Sequence, residues 1–332
     1  MNEFTYEDTL LTFSKKKKSY EAPAPLAPIF DTHCHLTGFK SGDPARYLAR
    51  ACFAGVAAMV TIEDPFEDEP NRELFYNRYD AWINQARIYL DQAALLGVVP
   101  AHLSGVYCAD LLNNLQVITG VHPYGAHKFN DETLKTMRAI CQDPHTVGIG
   151  EIGLDYHFDD EDEIFSASHE EQMECFARQI ELAHELNMPI EMHLRHLPED
   201  EQAQSHQDAL RVLDEVGIPR AGCVLHCFGE TPQIMEQFLE RDCYIAFGGA
   251  ATFKRNTHVR DAFNMCPRER LLFETDCPYM APEPLRGLEC EPAMIAFTQH
   301  SLVTQRCEST KEDPCELAEA IWDNSNKLFP HL

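Results

Sequence analysis

From Ile29 onward, short apolar runs recur along the chain, each followed by polar or glycine-containing residues and then a longer stretch with helical spacing. The runs are Ile29 to Thr32, Val56 to Thr61, Leu115 to Thr119, Val147 to Ile149, Met188 to Met192, Cys223 to Leu225, Tyr244 to Phe247 and Arg270 to Phe273. Each has the length of a buried strand, so the pattern predicts eight strands joined by helical crossovers. Strand and helix alternating in this way build a parallel sheet, and closing that sheet removes both exposed edges. The expected fold is therefore α/β, a (β/α)8 TIM barrel. The segment after the fourth run reads most clearly as a helix: Phe176, Ile180 and Ala183 repeat at helical intervals, and Asn187 and Pro189 end it before the next strand.

A chain of 332 residues falls within the range of one such barrel, assigned here to residues 28–332. Residues 1–27 mix charge with alanine and proline, and Ala22 to Pro28 read APAPLAP, which predicts an arm lying against the surface instead of a core element. The crossover around residues 63–114 is long and rich in aromatic and acidic residues, which predicts an added helical excursion. No internal repeat or low-complexity linker calls for a second domain.

Composition narrows the function. At 44% hydrophobic the chain can bury a full core, and its formal net charge of −27, from 54 acidic against 27 basic residues, argues against gripping a long duplex through many phosphates. A nucleic-acid substrate is expected to be short or held at one end. Thirteen cysteines, an odd number scattered without regular spacing, read as reduced thiols. The basic run Lys15 to Lys18 is not followed by an apolar signal region, and no uncharged stretch is long enough to span a bilayer. The expectation is a soluble, cytoplasmic protein without a membrane partner, plausibly a monomer.

Candidate chemistry gathers at the ends of the expected strands. The first ends in Asp31-Thr32-His33-Cys34-His35, and side chains two apart on a strand share a face, so both imidazoles can meet one ion. With sixteen histidines in the chain, about one such pair arises by chance, so its place at a strand end is what distinguishes it. Glu151 stands among glycines in Gly148 to Tyr156, where the absence of side chains suits a close approach to the backbone by a ligand; capping the next helix or pairing with an arginine is the other reading. Asp155 reads as a structural carboxylate. His193 ends the fifth run and His226 the sixth; each alone suits an ordinary hydrogen-bonded histidine, and together they suit a metal. His196 lies off the face of His193. Asp276 ends the last run, where it can cap a turn or complete a metal site beside the first strand.

Taken in order, these residues resemble the TatD family of metal-dependent hydrolases, a branch of the amidohydrolase-type barrels. The resemblance runs from Asp31 to about Phe329 and rests on DTHCHL, GVHPY at Gly120, GEIGLDY at Gly150, HLR at His193, HCFGE at His226, FGG at Phe247 with TFK at Thr252, ETDCPYMAP at Glu274, and Glu291-Pro292. It implies two divalent metal ions, zinc, magnesium or manganese, with His33, His35 and Asp276 on one, His193 and His226 on the other, and Glu151 bridging them. Two adjacent cations stabilise developing charge and lower the pKa of a shared water from 15.7 towards about 7. Asp276 and Glu151 are then the catalytic carboxylates, with Asp276 as general base. His122, Arg195, Lys254 and Arg286 match positions near the mouth, where they can neutralise substrate oxygens. The chain departs from the pattern in its long excursion, in Cys290 before the Glu-Pro pair and in Leu194 between His193 and Arg195. All three bear on substrate choice more than on metal chemistry.

The resemblance implies hydrolysis of phosphodiester bonds at single-stranded DNA ends, from the 3′ side. The same metal site can also attack a small ester, amide or lactone, which makes a deacylase the alternative. A non-catalytic metal-binding protein on an inherited barrel is the third reading.

Overall fold

The structure, a computed structural model, describes residues 3–40, 42–157 and 167–330. The extreme residues of the expected arm and barrel domain (1, 2, 331 and 332) lie outside the described residues.

Eight parallel strands carry the fold: β1 (Ile29–Cys34), β2 (Val56–Glu63), β3 (Leu115–Thr119), β4 (Thr146–Asp155), β5 (Ile190–Arg195), β6 (Cys223–Leu225), β7 (Tyr244–Phe247) and β8 (Leu271–Phe273). Each of the eight expected runs forms one of them, and neighbours in sequence are neighbours in the sheet. Closure comes from the first and last strands. The His35 amide donates to the Cys277 carbonyl at 2.8 Å, the Asp276 amide to that of His33 at 3.0 Å, and the Thr32 hydroxyl to that of Phe273 at 3.1 Å.

Alternation along each strand sorts side chains into two sets. Phe30, Ala58, Val60, Ile118, Val224, Ala246 and Leu272 point inward and form an apolar plug with Leu328 and Phe329. Ile29, Met59, Val117, Ile190, Ile245 and Leu271 point outward, into the larger core beneath the helices. Nearer the C-terminal ends of the strands the interior turns polar, with Asp31, Glu63, Thr119, Glu151, Glu191, His226 and Glu274 buried. This is the face on which a (β/α)8 barrel carries its chemistry.

The helices close around this sheet: α1 (Pro44–Phe53), α2 (Arg72–Leu95), α3 (Asp131–Ile140), α4 (His169–Leu186), α5 (Gln204–Val216), α6 (Pro232–Leu239), α7 (Thr257–Met265), α8 (Ile295–Thr310) and α9 (Pro314–Leu328). In α4, Ser168 and Glu171 make a reciprocal capping box at the start, and Asn187 in the left-handed region with φ 52° ends it, as the sequence predicts. The expected excursion is mainly α2, which buries Phe75, Tyr76, Tyr79 and Tyr89, followed by a short hairpin, His102–Leu103 with Val106–Tyr107.

The arm has more structure than its composition suggests. It holds a helical turn, Tyr6–Thr9, and a hairpin, Thr12–Lys15 with Lys18–Glu21. It also buries Phe4, Leu11 and Phe13, contrary to the expectation that nothing in it joins the core. Phe4 stacks on Tyr89 at 5.3 Å and Phe13 meets Phe297 edge-on at 5.8 Å, each burial contributing on the order of 1.5–3 kcal/mol. The local sequence did not reveal these anchors because it records polarity, and burial here depends on contacts with α1, α2 and α8.

Candidate metal centre

Glu151 sits at the centre of the polar layer, and its two oxygens face different histidines. Oε1 lies 2.9 Å from His193 Nδ1 and 3.0 Å from His226 Nε2. Oε2 lies 3.9 Å from His33 Nε2 and 3.7 Å from His35 Nε2. Asp276 Oδ1 joins that second group, 3.7 Å from His33 and 3.5 Å from His35. The six residues singled out in the sequence are thus brought together from five strand ends.

The glycines around Glu151 serve a purpose other than the one expected. A Cβ at Gly153, where φ is 145°, would stand 2.1 Å from the His193 carbonyl oxygen, and one at Gly150 would stand 2.7 Å from Glu191 Cβ. These positions admit the backbone of β5, which draws His193 against Glu151; they do not open a gap for ligand. Asp276 adopts the left-handed region with φ 54°, which breaks the course of the chain after β8.

Buried acids orient the imidazoles. His33 Nδ1 meets Glu191 Oε1 at 2.5 Å, which leaves Nε2 facing the centre. His193 Nε2 meets Asp155 Oδ2 at 3.0 Å, which leaves Nδ1 facing it. Such carboxylate–imidazole pairs set the tautomer and raise ligand basicity. Asp155, which the sequence suggested as a structural carboxylate, thus holds the His193 ring, and Glu191, which stands behind His33, was not singled out. Its signal was an acid inside the otherwise apolar Met188-Pro189-Ile190-Glu191-Met192, two residues before His193 and on the same face. His226 Nδ1 and Glu274 Oε2 are 3.8 Å apart, both buried without a hydrogen-bond partner. Asp31 joins β1 to the chain after β8 by accepting from the Thr275 amide at 2.8 Å and hydroxyl at 2.7 Å.

Electrostatics follow from this packing. Burial opposes charge on Glu151, but hydrogen bonds from His193 and His226 outweigh it and hold the carboxyl well below its usual range. Burial likewise opposes charge on Asp276, and His35 and His33 outweigh it. His35 and His193 also work against burial, held up at about 9 by Asp276 and Glu151 and at about 10 by Asp155 and Glu151 respectively. Burial pushes His33 down to about 4 and Glu191 up to about 8, so that pair carries no net charge near neutral pH.

The donor set fits divalent cations. His33 Nε2 and His35 Nε2 are 3.1 Å apart, as are His193 Nδ1 and His226 Nε2. A tetrahedral ion bound at about 2.0–2.1 Å by each donor sets its ligands about 3.3–3.4 Å apart, close to these spacings. Imidazoles with carboxylates suit zinc or manganese, and the carboxylates also accept magnesium.

The remaining candidates divide. His122 Nε2 lies 3.9 Å from Glu151 Oε1, its ring edge-on to His193 at 4.5 Å. Arg195 is fastened to Asp155, with Nε 3.0 Å from Oδ1, and donates to the Tyr124 hydroxyl. Lys254 is exposed, and Arg286 is exposed with its guanidinium over the Phe253 ring at 4.3 Å; of the four candidates only His122 lines the cavity beside Glu151, and Arg195, Lys254 and Arg286 do not. Leu194 and Cys290 are likewise absent from its lining, and Cys290 is fully buried. That cavity, about 280 Å³, is lined by His35, His122, Glu151 and Tyr279 and by an acidic wall of Asp64, Glu67 and Asp68 with Arg78; the His122 amide donates to Asp64 at 2.9 Å. The acidic wall comes from the excursion after β2, and the sequence did not assign it.

A (β/α)8 barrel with this histidine–carboxylate centre at the C-terminal ends of its strands defines a metal-dependent hydrolase. The comparisons make the class specific: residues 30–330 match the profile of the TatD related DNase family, and the chain belongs to that family. It is 32% identical over 210 residues to YabD of Bacillus subtilis, described as an uncharacterized metal-dependent hydrolase, covering 63% of this chain and 75% of that protein. It is 33% identical over 216 residues to the 3′-5′ ssDNA/RNA exonuclease TatD of Pantoea vagans, covering 63% and 76%. The crystal structure of YJJV, a TatD homologue from Escherichia coli, superposes with a TM-score of 0.66 at 27% identity over 92% of this chain and 98% of that one. No helix among the described residues is long and apolar enough to cross a membrane.

Proposed function

We propose that the protein hydrolyses phosphodiester bonds at the 3′ ends of short single-stranded DNA, using two divalent cations held on either side of Glu151. The observation that carries this reading is the division of the Glu151 carboxylate, with Oε1 towards His193 and His226 and Oε2 towards His33, His35 and Asp276. Cations held by these residues would supply positive charge to a phosphate and lower the pKa of a bound water.

The chain's own residues then have separate tasks. Asp276, ionised despite burial, accepts the proton lost by the attacking water. His122, kept neutral because burial pushes it down to about 3, orients a substrate oxygen beside Glu151. Arg195, held by Asp155 and Tyr124, presents a fixed positive charge to the phosphate. Lys254 and Arg286 lie further out, where they suit a trailing nucleotide better than the scissile one. The naming of several relatives as single-strand exonucleases supports the substrate class.

One observation favours a second reading, a deacylase or lactonase. Asp64, Glu67 and Asp68 line the cavity with Arg78 as the one arginine or lysine there among the described residues, and carboxylates repel phosphates. The test is to incubate metal-loaded protein and His193→Ala with end-labelled single-stranded oligonucleotides, beside chromogenic phosphodiester and acyl substrates. Shortening from the 3′ end by the native protein alone is the expected result. No shortening by either protein overturns the nuclease reading, and acyl turnover in its place establishes the second.

A further inference from the structure

A second gathering of metal-binding side chains lies beside the Glu151 centre and shares no residue with it. His196 follows β5 directly, His206 stands in the first turn of α5, and Glu230 lies in the loop after β6. One ligand atom from each falls within 4.8 Å of the others. His196 Nδ1 points at Glu230 Oε1 from 3.5 Å, too far for a normal hydrogen bond, and that nitrogen is buried with no hydrogen-bond partner. The His196 and His206 rings meet edge to face at 5.4 Å, and His206 Nδ1 sits 3.3 Å from Ser205 Oγ, a contact that orients a ligand ring.

An ion pair between His196 and Glu230 leaves His206 out of account. His206 is 1% exposed, and burial pushes it down to about 3, so it is a neutral imidazole beside a second imidazole. A divalent cation would satisfy two imidazoles and a carboxylate converging from three separate segments, and desolvated neutral imidazole is the form that binds metal.

We propose that His196, His206 and Glu230 form an additional divalent-metal site, taking an ion of the zinc class and leaving a coordination position open. Two nitrogens and one oxygen select zinc and its transition-metal neighbours over magnesium. Zinc bound at about 2.0–2.1 Å sets its donors about 3.3–3.4 Å apart, so the His196–Glu230 edge already has nearly the required length. The half-buried His196 and Glu230 side chains turn towards His206 to close the other edges. The bound ion ties the loop between β5 and α5 to the loop after β6, both of which flank the mouth of the barrel.

The test is equilibrium dialysis of wild type, Glu230→Gln and His196→Gln against zinc chloride, with zinc per chain counted by elemental analysis. Circular dichroism checks that both variants fold; the buried His206 is left intact for that reason. Wild type is expected to hold one zinc more than either variant. Equal counts in all three proteins overturn the proposal. The count retained by the variants reports separately on the Glu151 centre, so failure of one site is not mistaken for failure of the other.

Discussion

Glu191 and His33 form a buried pair in the barrel interior, with Glu191 Oε1 2.5 Å from His33 Nδ1. No solvent reaches either side chain, so the carboxyl alone decides which ring nitrogen faces Glu151 and Asp276. Glu191→Ala is expected to leave the barrel folded and to weaken zinc binding about 10- to 100-fold, the usual effect of removing the acid behind a ligand histidine. Competition with a chromophoric chelator measures it, and an unchanged affinity would refute the orienting role.

Proton release should accompany metal binding. His35 and His193 rise to about 9 and about 10 in the metal-free centre, so both are charged at pH 7 and must lose a proton to become ligands. Binding is expected to release about two protons and to strengthen as pH rises, flattening above about 10. Calorimetry in buffers of different ionisation enthalpy counts the protons. The metal-free protein is expected to show the opposite trend in stability. Both folded-state values lie above the ordinary histidine value, so this contribution is complete below about 6.5 and is lost as pH rises through 9 to 10.

Asp276→Asn keeps the shape of the side chain and removes its capacity to take a proton. Turnover on the preferred substrate is expected to fall by about 10²–10⁴, the range for loss of a general base. Steady-state kinetics at saturating metal separates this from lost affinity, and a variant within a fewfold of wild type would assign the base elsewhere.

Removing the metal should destabilise the fold as well as stop catalysis. Cations that bind only the folded chain stabilise it by about 2.7 kcal/mol per site at a hundredfold excess over Kd. Chelation is expected to abolish hydrolysis and lower the melting temperature, and readdition of metal to restore both. Differential scanning fluorimetry is sufficient to follow it.

Glu67 lines the cavity at the exposed rim, where partial desolvation, Glu151 and Asp68 together push its carboxyl up. Glu67→Gln is expected to lower KM for a single-stranded oligonucleotide severalfold at low salt. Salt near 1 M should erase most of the difference because the screening length falls from about 10 Å at 0.1 M to about 3 Å there. A KM that ignores salt would remove this wall from the binding path.

The barrel was legible from the sequence because strands buried on both faces leave continuous apolar runs, and the six central ligand candidates were legible because each ends or follows such a run. Those are local properties of the chain. Glu191, Asp155 and the acidic wall were not legible in their roles, since an acid two residues from a histidine acquires meaning only when a third segment brings its partner within hydrogen-bond reach. The same reason hid the contact between His196, His206 and Glu230, and the burial of Phe4 and Phe13. Sequence periodicity alone determined where the eight strands lie and which residues end them. Tertiary structure decided which nitrogen each imidazole presents and which carboxylate stands behind it, because hydrogen bonds and desolvation depend on distances of a few ångströms between residues far apart in the chain.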